Sequence, residues 1–109
     1  MEKTVSRIEQ IRKLLAQSPN DTFLLYSLGM EQLSQGSPHE AAATFDRVLE
    51  LDENYLPAYT QGAAARRQAG DLPAAAAMLE KALALANRQG DTHAADRISL
   101  LLEALRPAS

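Results

Sequence analysis

The sequence predicts an all-α protein, and three observations carry that expectation. Ala, Leu, Glu, Gln and Arg, all strong helix formers, are heavily used in the 109 residues, and β-branched residues are few. Chain breakers fall at regular places: Pro19-Asn20-Asp21, Gly36-Ser37-Pro38, Asp52-Glu53-Asn54, Gly70-Asp71 and Gly90-Asp91. Between them the apolar residues recur at helical spacing, not in alternation. Five breaks leave six helical segments, and turns of two or three residues make neighbouring helices antiparallel.

The first segment, residues 3–18, gathers Val5, Ile8, Ile11, Leu14 and Leu15 on one stripe, with Arg7, Glu9, Arg12 and Lys13 outside it. Pro19-Asn20-Asp21 closes it. The second segment runs up to Gly36, which is suited to the left-handed conformation that ends a helix. The third opens on Ser37-Pro38-His39-Glu40: Ser37 is expected to accept from the exposed amides, Pro38 needs no amide partner, and Glu40 can reach back as a capping box. Its stripe is Ala42, Phe45, Val48, Leu49 and Leu51. The fourth segment follows Asp52-Glu53-Asn54 and ends at Gly70. The fifth begins with Gly70-Asp71-Leu72-Pro73 by the same logic. From Ala74 to Met78, with Leu79, Ala82, Leu83 and Leu85, it is apolar nearly all round, as suits a helix with neighbours on several sides. The sixth, residues 91–105, sets Ile98, Leu101, Leu102 and Leu105 opposite Asp96, Arg97 and Glu103. Isolated helices of roughly 12–16 residues are marginal in water, so their stability has to come from packing on one another.

Composition narrows the function. There is no Cys, so no disulfide, thiolate metal site or cysteine nucleophile is available. A formal charge of −3, with both signs interspersed, lacks the clustered positive face of a nucleic-acid binder. Neither a membrane span nor a signal peptide is expected, and the reading is a cytoplasmic single domain over residues 1–109.

Shifting the chain against itself by 34 residues brings Gly36 onto Gly70, Ala41 onto Ala75, Leu49 onto Leu83, Leu51 onto Leu85 and Leu25 onto Tyr59. A helix-turn-helix unit of that period resembles the tetratricopeptide repeat (TPR). The first unit, 22–55, carries Leu25, Leu28-Gly29, the Gly36 turn, Ala41 and Phe45; it departs from the family pattern at Leu25, Gln32, Val48 and Glu53. The second, 56–89, keeps Tyr59, Gly70-Asp71, Ala75 and Lys81-Ala82-Leu83-Ala84-Leu85. It substitutes Gly62-Ala63, Arg66 and Leu79 at other signature places. The N-terminal helix matches the closing helix of a degenerate preceding unit, and 91–105 is similar to a polar-backed terminal capping helix. The resemblance implies a right-handed α-α superhelix of about six antiparallel helices, two clear repeats plus flanking helices, with its core spread between stacked pairs.

Catalytic groupings are hard to assemble. His39 and His93 each lie in the first turn of a predicted helix and read as solvated; no metal-ligand spacing and no glycine-rich phosphate loop is present. Glu31, Glu40, Asp46, Glu50, Asp52 and Glu53 against Arg47 read as a solvated face. No catalytic residue, metal, cofactor or small-molecule substrate is expected.

What remains is binding. The resemblance implies that the first helix of each unit lines a concave groove that holds a partner peptide or helix. By helical phase the groove residues are Phe23, Tyr26, Met30, Leu33 and Ser34 in the first unit and Thr60, Ala64, Arg67 and Gln68 in the second. Tyr26, Met30 and Leu33 have packing beneath a neighbouring helix as the alternative. Arg66 and Arg67 could pair a partner carboxylate, or be solvated or paired within the chain. The Lys and Asn of family members that clamp a C-terminal carboxylate are replaced by Tyr26, Met30, Thr60 and Ala64, which disfavours chaperone-tail binding. The expected function is a non-catalytic protein–protein interaction module: an adaptor, co-chaperone-like protein or assembly factor. Its alternatives are a self-associating homodimer and the regulatory subunit of an enzyme complex.

Overall fold

A computed structural model describes residues 6–106. They form six helices in chain order: α1 (Arg7–Gln17), α2 (Thr22–Ser34), α3 (Pro38–Leu51), α4 (Leu56–Gln68), α5 (Leu72–Arg88) and α6 (Thr92–Leu105). Among the described residues there is no strand, and the all-α expectation holds. Residues 3–5 of the expected first helix, Val5 included, lie outside the described residues. Each helix packs on its neighbours in the chain, with α2 also touching α4, which yields an elongated array of 55 × 29 × 20 Å. Such an array is quasi-one-dimensional, its stability a sum of neighbour interfaces.

Three turns are built alike. Gly36, Gly70 and Gly90 have φ of 79°, 86° and 70°. At each, the glycine amide and the next amide bond back into the preceding helix: Gly36 to Leu33 and Ser37 to Gln32, Gly70 to Arg67 and Asp71 to Arg66, Gly90 to Asn87 and Asp91 to Ala86. This is the Schellman arrangement, and it satisfies the carbonyls left over at a helix end. After two of the three glycines the next residue caps the following helix: Asp71 accepts from the Ala74 amide at 3.1 Å and Asp91 from that of Ala94 at 3.0 Å. Asp21 and Ser6 cap α2 and α1 in the same way. The expected Ser37 cap is not made: its side chain accepts no amide of α3, and no capping box with Glu40 forms. A capping box needs the Ser37 amide for Glu40, and that amide is already bonded to the Gln32 carbonyl at 2.9 Å.

The core lies between helix pairs. One cluster unites Leu25, Ala41, Phe45, Val48, Ala58 and Ala65; a second unites Ala63, Met78, Leu79, Ala82, Ala95 and Ile98 with Ala75 and Ala86. Leu49 packs against both. Phe45 and Val48 are wholly shielded from solvent, and each contributes roughly 1.5–3 kcal/mol by burial. The nearly all-apolar α5 packs between α4 and α6, which accounts for its pattern. Two predicted stripe residues escape burial: Leu14 on α1 is 53% exposed and Leu101 on α6 is 40% exposed. Both sit on end helices, which have a neighbouring helix on one side only within the described residues.

Candidate partner-binding groove

The helices α2, α4 and α6 occupy equivalent positions along the array, and their equivalent residues meet. Tyr26, Thr60 and Ala94, spaced 34 residues apart, line one depression of about 280 Å³, together with Leu56, Pro57 and Arg97. A volume of that order, open to solvent and walled by three helices, suits side chains of an incoming chain.

The nine expected groove residues fall into different environments, Ser34 among them being exposed. Phe23 is 67% exposed and Met30 is 36% exposed, so both offer free apolar surface. Tyr26 is half-buried, its ring centroid 5.7 Å from that of Phe45 and 5.3 Å from that of Tyr55. Leu33 is half-buried against the first core cluster. Tyr26 and Leu33 are thus partly core. Burial, and then the neighbouring Tyr55, raise the pKa of Tyr26; burial, then Asp52 and Asp21, raise that of Tyr55. On α4, Thr60 donates its hydroxyl proton to the Pro57 carbonyl at 3.0 Å. Thr60, Ala64 and Arg67 share a smaller hollow of about 60 Å³ with Ala63, Leu101 and Leu105. Gln68 is exposed and lies outside these depressions.

The two adjacent arginines part company. Arg66 reaches back to Asp46 on α3, Nη2 to Oδ2 at 2.7 Å, and is largely covered. It is committed inside the array and does not offer its charge to a partner. Arg67 is exposed and makes no ion pair with any described residue. Of the acids expected to form a solvated face, Glu31 pairs with Arg7 at 2.7 Å and Asp46 with Arg66, so two of them tie helices together. Among the described residues no cluster of three or more His, Cys, Asp or Glu could hold a metal ion, and no helix is long and apolar enough to cross a membrane.

The sequence reading missed the contribution of α6. Ala94, Arg97, Leu101 and Leu105 line the depressions beside the α2 and α4 residues. The signal was present: one more step of 34 residues carries Tyr26 and Thr60 onto Ala94, and Leu33 and Arg67 onto Leu101. Thus α6 stands as the first helix of a third unit. His93, Asp96 and Arg97 on it are exposed.

No family model matches the chain. The TPR repeat-containing protein PA0015 of Pseudomonas aeruginosa is 33% identical over 98 residues, covering 90% of this chain and 93% of that protein. Among solved structures, PcrH in complex with the chaperone binding region of PopD superimposes with a TM-score of 0.83 at 25% identity, covering 90% of this chain and 74% of that one. Protein BPP2914 from Bordetella parapertussis has a TM-score of 0.83 at 22% identity, covering 94% and 89% of the two chains. The type III secretion translocator chaperone SycD of Yersinia enterocolitica has a TM-score of 0.82 at 21% identity, with coverage of 90% and 68%. The last two likenesses show the fold alone.

Proposed function

Since the chain belongs to the tetratricopeptide-repeat family, we propose that it is a non-catalytic binding module which captures a segment of a partner protein in the groove of α2, α4 and α6. The observation that carries this reading is the alignment of Tyr26, Thr60 and Ala94 around one depression, with the apolar Phe23 and Met30 exposed about one turn either side of Tyr26 on α2. Apolar side chains left uncovered beside a concave surface gain by being buried against a partner. PcrH, at 25% identity, has been solved with the chaperone binding region of PopD, which supports capture of a segment by this fold. An adaptor, co-chaperone-like or assembly role in the cytoplasm is the setting this reading fits.

A photo-crosslinking amino acid in place of Phe23 tests the reading, with the same group in place of Glu50 as control. The expected result is a discrete partner captured from cells at position 23 and lost with Met30→Ser, at unchanged helicity. Capture that is equal at position 50, or indifferent to Met30→Ser, would remove the groove from the account. Replacing Tyr26 is a poorer probe, because its contacts with Phe45 and Tyr55 make the change a core change as well.

Self-association is a second reading, favoured by one observation: Leu100 stands 70% exposed on the outer side of α6. Sedimentation across a concentration series decides it, a monomer throughout disposing of the homodimer.

A further inference from the structure

Arg67 belongs to two depressions at once. On one side is the hollow of about 60 Å³ walled by Thr60, Ala64 and Leu101. On the other, a cavity of about 730 Å³ opens between the start of α5 and the end of α6, walled by Leu72, Pro73, Ala76, Leu102 and Leu105. Leu105 is common to both, so the two adjoin at Arg67 and Leu105. The larger is within the range of sites that enclose a bulky group, roughly 300–1,000 Å³. The smaller has room for about two waters, the size of a small side chain.

Charge separates these surfaces. Arg67 is the one charged residue lining the hollow, and it has no ion-pair partner among the described residues. Its chain neighbour Arg66 is occupied by Asp46, and Arg97, exposed and without an ion pair among the described residues, lines the separate depression beside Tyr26 and Thr60. At the rim of the larger cavity Arg106 leans toward Glu103 at 3.7 Å, and Glu80 supplies one acid. Leu72 at 46% exposure and Leu101 at 40% are large apolar groups left uncovered, the first lining the larger cavity with Arg67 and the second the hollow.

Resting on the groove reading above, we infer that the captured segment carries an acidic residue between two apolar ones. Its carboxylate pairs with Arg67, a small side chain such as alanine enters the hollow beside Thr60 and Ala64, and a large one such as leucine or phenylalanine fills the cavity beside Leu72 and Leu105. A guanidinium fork fits a carboxylate in two-bond geometry, and apolar neighbours that exclude water strengthen the pair. A lysine or arginine at the same point of the segment meets an unpaired like charge and is rejected.

A random peptide library displayed on phage, selected against the folded full chain and against Arg67→Glu, tests this. The native chain should enrich an acidic residue flanked by a small and a large apolar residue, and Arg67→Glu should enrich Lys or Arg at the central place. A synthetic copy of the enriched peptide should bind Arg67→Glu about tenfold or more weakly than the native chain. Leu72→Ser should relax the preference for the large residue and keep the acidic one. Enrichment without an acid, or binding indifferent to Arg67→Glu, overturns this inference and leaves the groove reading standing if the peptide still shifts the resonances of Phe23 and Thr60. Enrichment of nothing overturns both. A homodimer that dissociates on Arg67→Glu assigns the surface to a second copy and overturns the inference alone.

Discussion

The backbone of Gly29 lies so close to the ring of Phe45 that a Cβ atom on it would stand 2.6 Å from Cε1 and 2.8 Å from Cζ. Phe45 is wholly buried, with the Tyr26 ring centroid 5.7 Å from its own, so its ring has little room to retreat. Gly29→Ala should therefore destabilise the protein by about 1–2 kcal/mol, the overpacking outweighing the gain in helix propensity. At Gly62 the close neighbour is the flexible end of Met78, Cε at 2.9 Å, with Arg66 and Phe45 at 3.6 Å. Gly62→Ala should be neutral or stabilising by up to about 1 kcal/mol. Urea unfolding midpoints compare the two, and equal losses would contradict the close-packing account of Gly29.

Gln32 is 4% exposed and accepts the Thr44 hydroxyl at 2.6 Å, joining α2 to α3 through the interior. Thr44→Val leaves that amide oxygen buried and unpaired, and should cost about 1–3 kcal/mol. Adding Gln32→Leu removes the orphan and should recover part of the loss. A double-mutant cycle measures the coupling, and strict additivity would mean the bond contributes nothing.

The Asp46–Arg66 pair differs from the fully exposed pairs because Arg66 is largely covered and its Nη1 is buried without a partner. Asp46→Ala should lower stability by about 1 kcal/mol, since Asp46 itself is half-exposed and screened. Glu103→Ala, which breaks only the loose contact to Arg106, should stay within about 0.5 kcal/mol. Thermal melts distinguish them, and high salt should narrow the difference.

Tyr26 and Tyr55 both have pKa values raised above the ordinary 10.0. Between the ordinary and the raised value the folded state holds more protons than the unfolded one, so stability falls as pH rises. Stability should therefore be indifferent to these two phenols below about pH 10 and decline above it. Tyr26→Phe should flatten that alkaline decline, as read by unfolding at pH 9 and above about 10.5. A decline of unchanged steepness in the variant would assign it to other groups.

The fold was legible because its determinants are local. Helical spacing of apolar residues, a glycine at three of the five turns and an offset of 34 residues are all readable within a window of about one repeat. The capping box expected at Ser37 fails for a reason also local in origin: Gly36 places the Ser37 amide on the Gln32 carbonyl, where Glu40 cannot take it. Of the candidate groove, helical phase named Tyr26, Thr60, Ala64 and Arg67, which line the depressions, and left out the residues of α6, where the repeat signature fades before its geometry does.

By itself, then, the amino-acid order determined six helices, their turns and the repeat that stacks them, since each depends on contacts only a few residues apart. Tertiary structure alone decided which groups are spoken for. Arg66 and Arg67 are neighbours of identical chemistry, yet Asp46, twenty residues earlier, takes the first and leaves the second facing outward. Likewise Tyr26 and Phe23 share a predicted face, but only Tyr26 finds Phe45 and Tyr55 within stacking range. Such choices turn on distances of a few ångströms between helices, and helical periodicity carries no information about those.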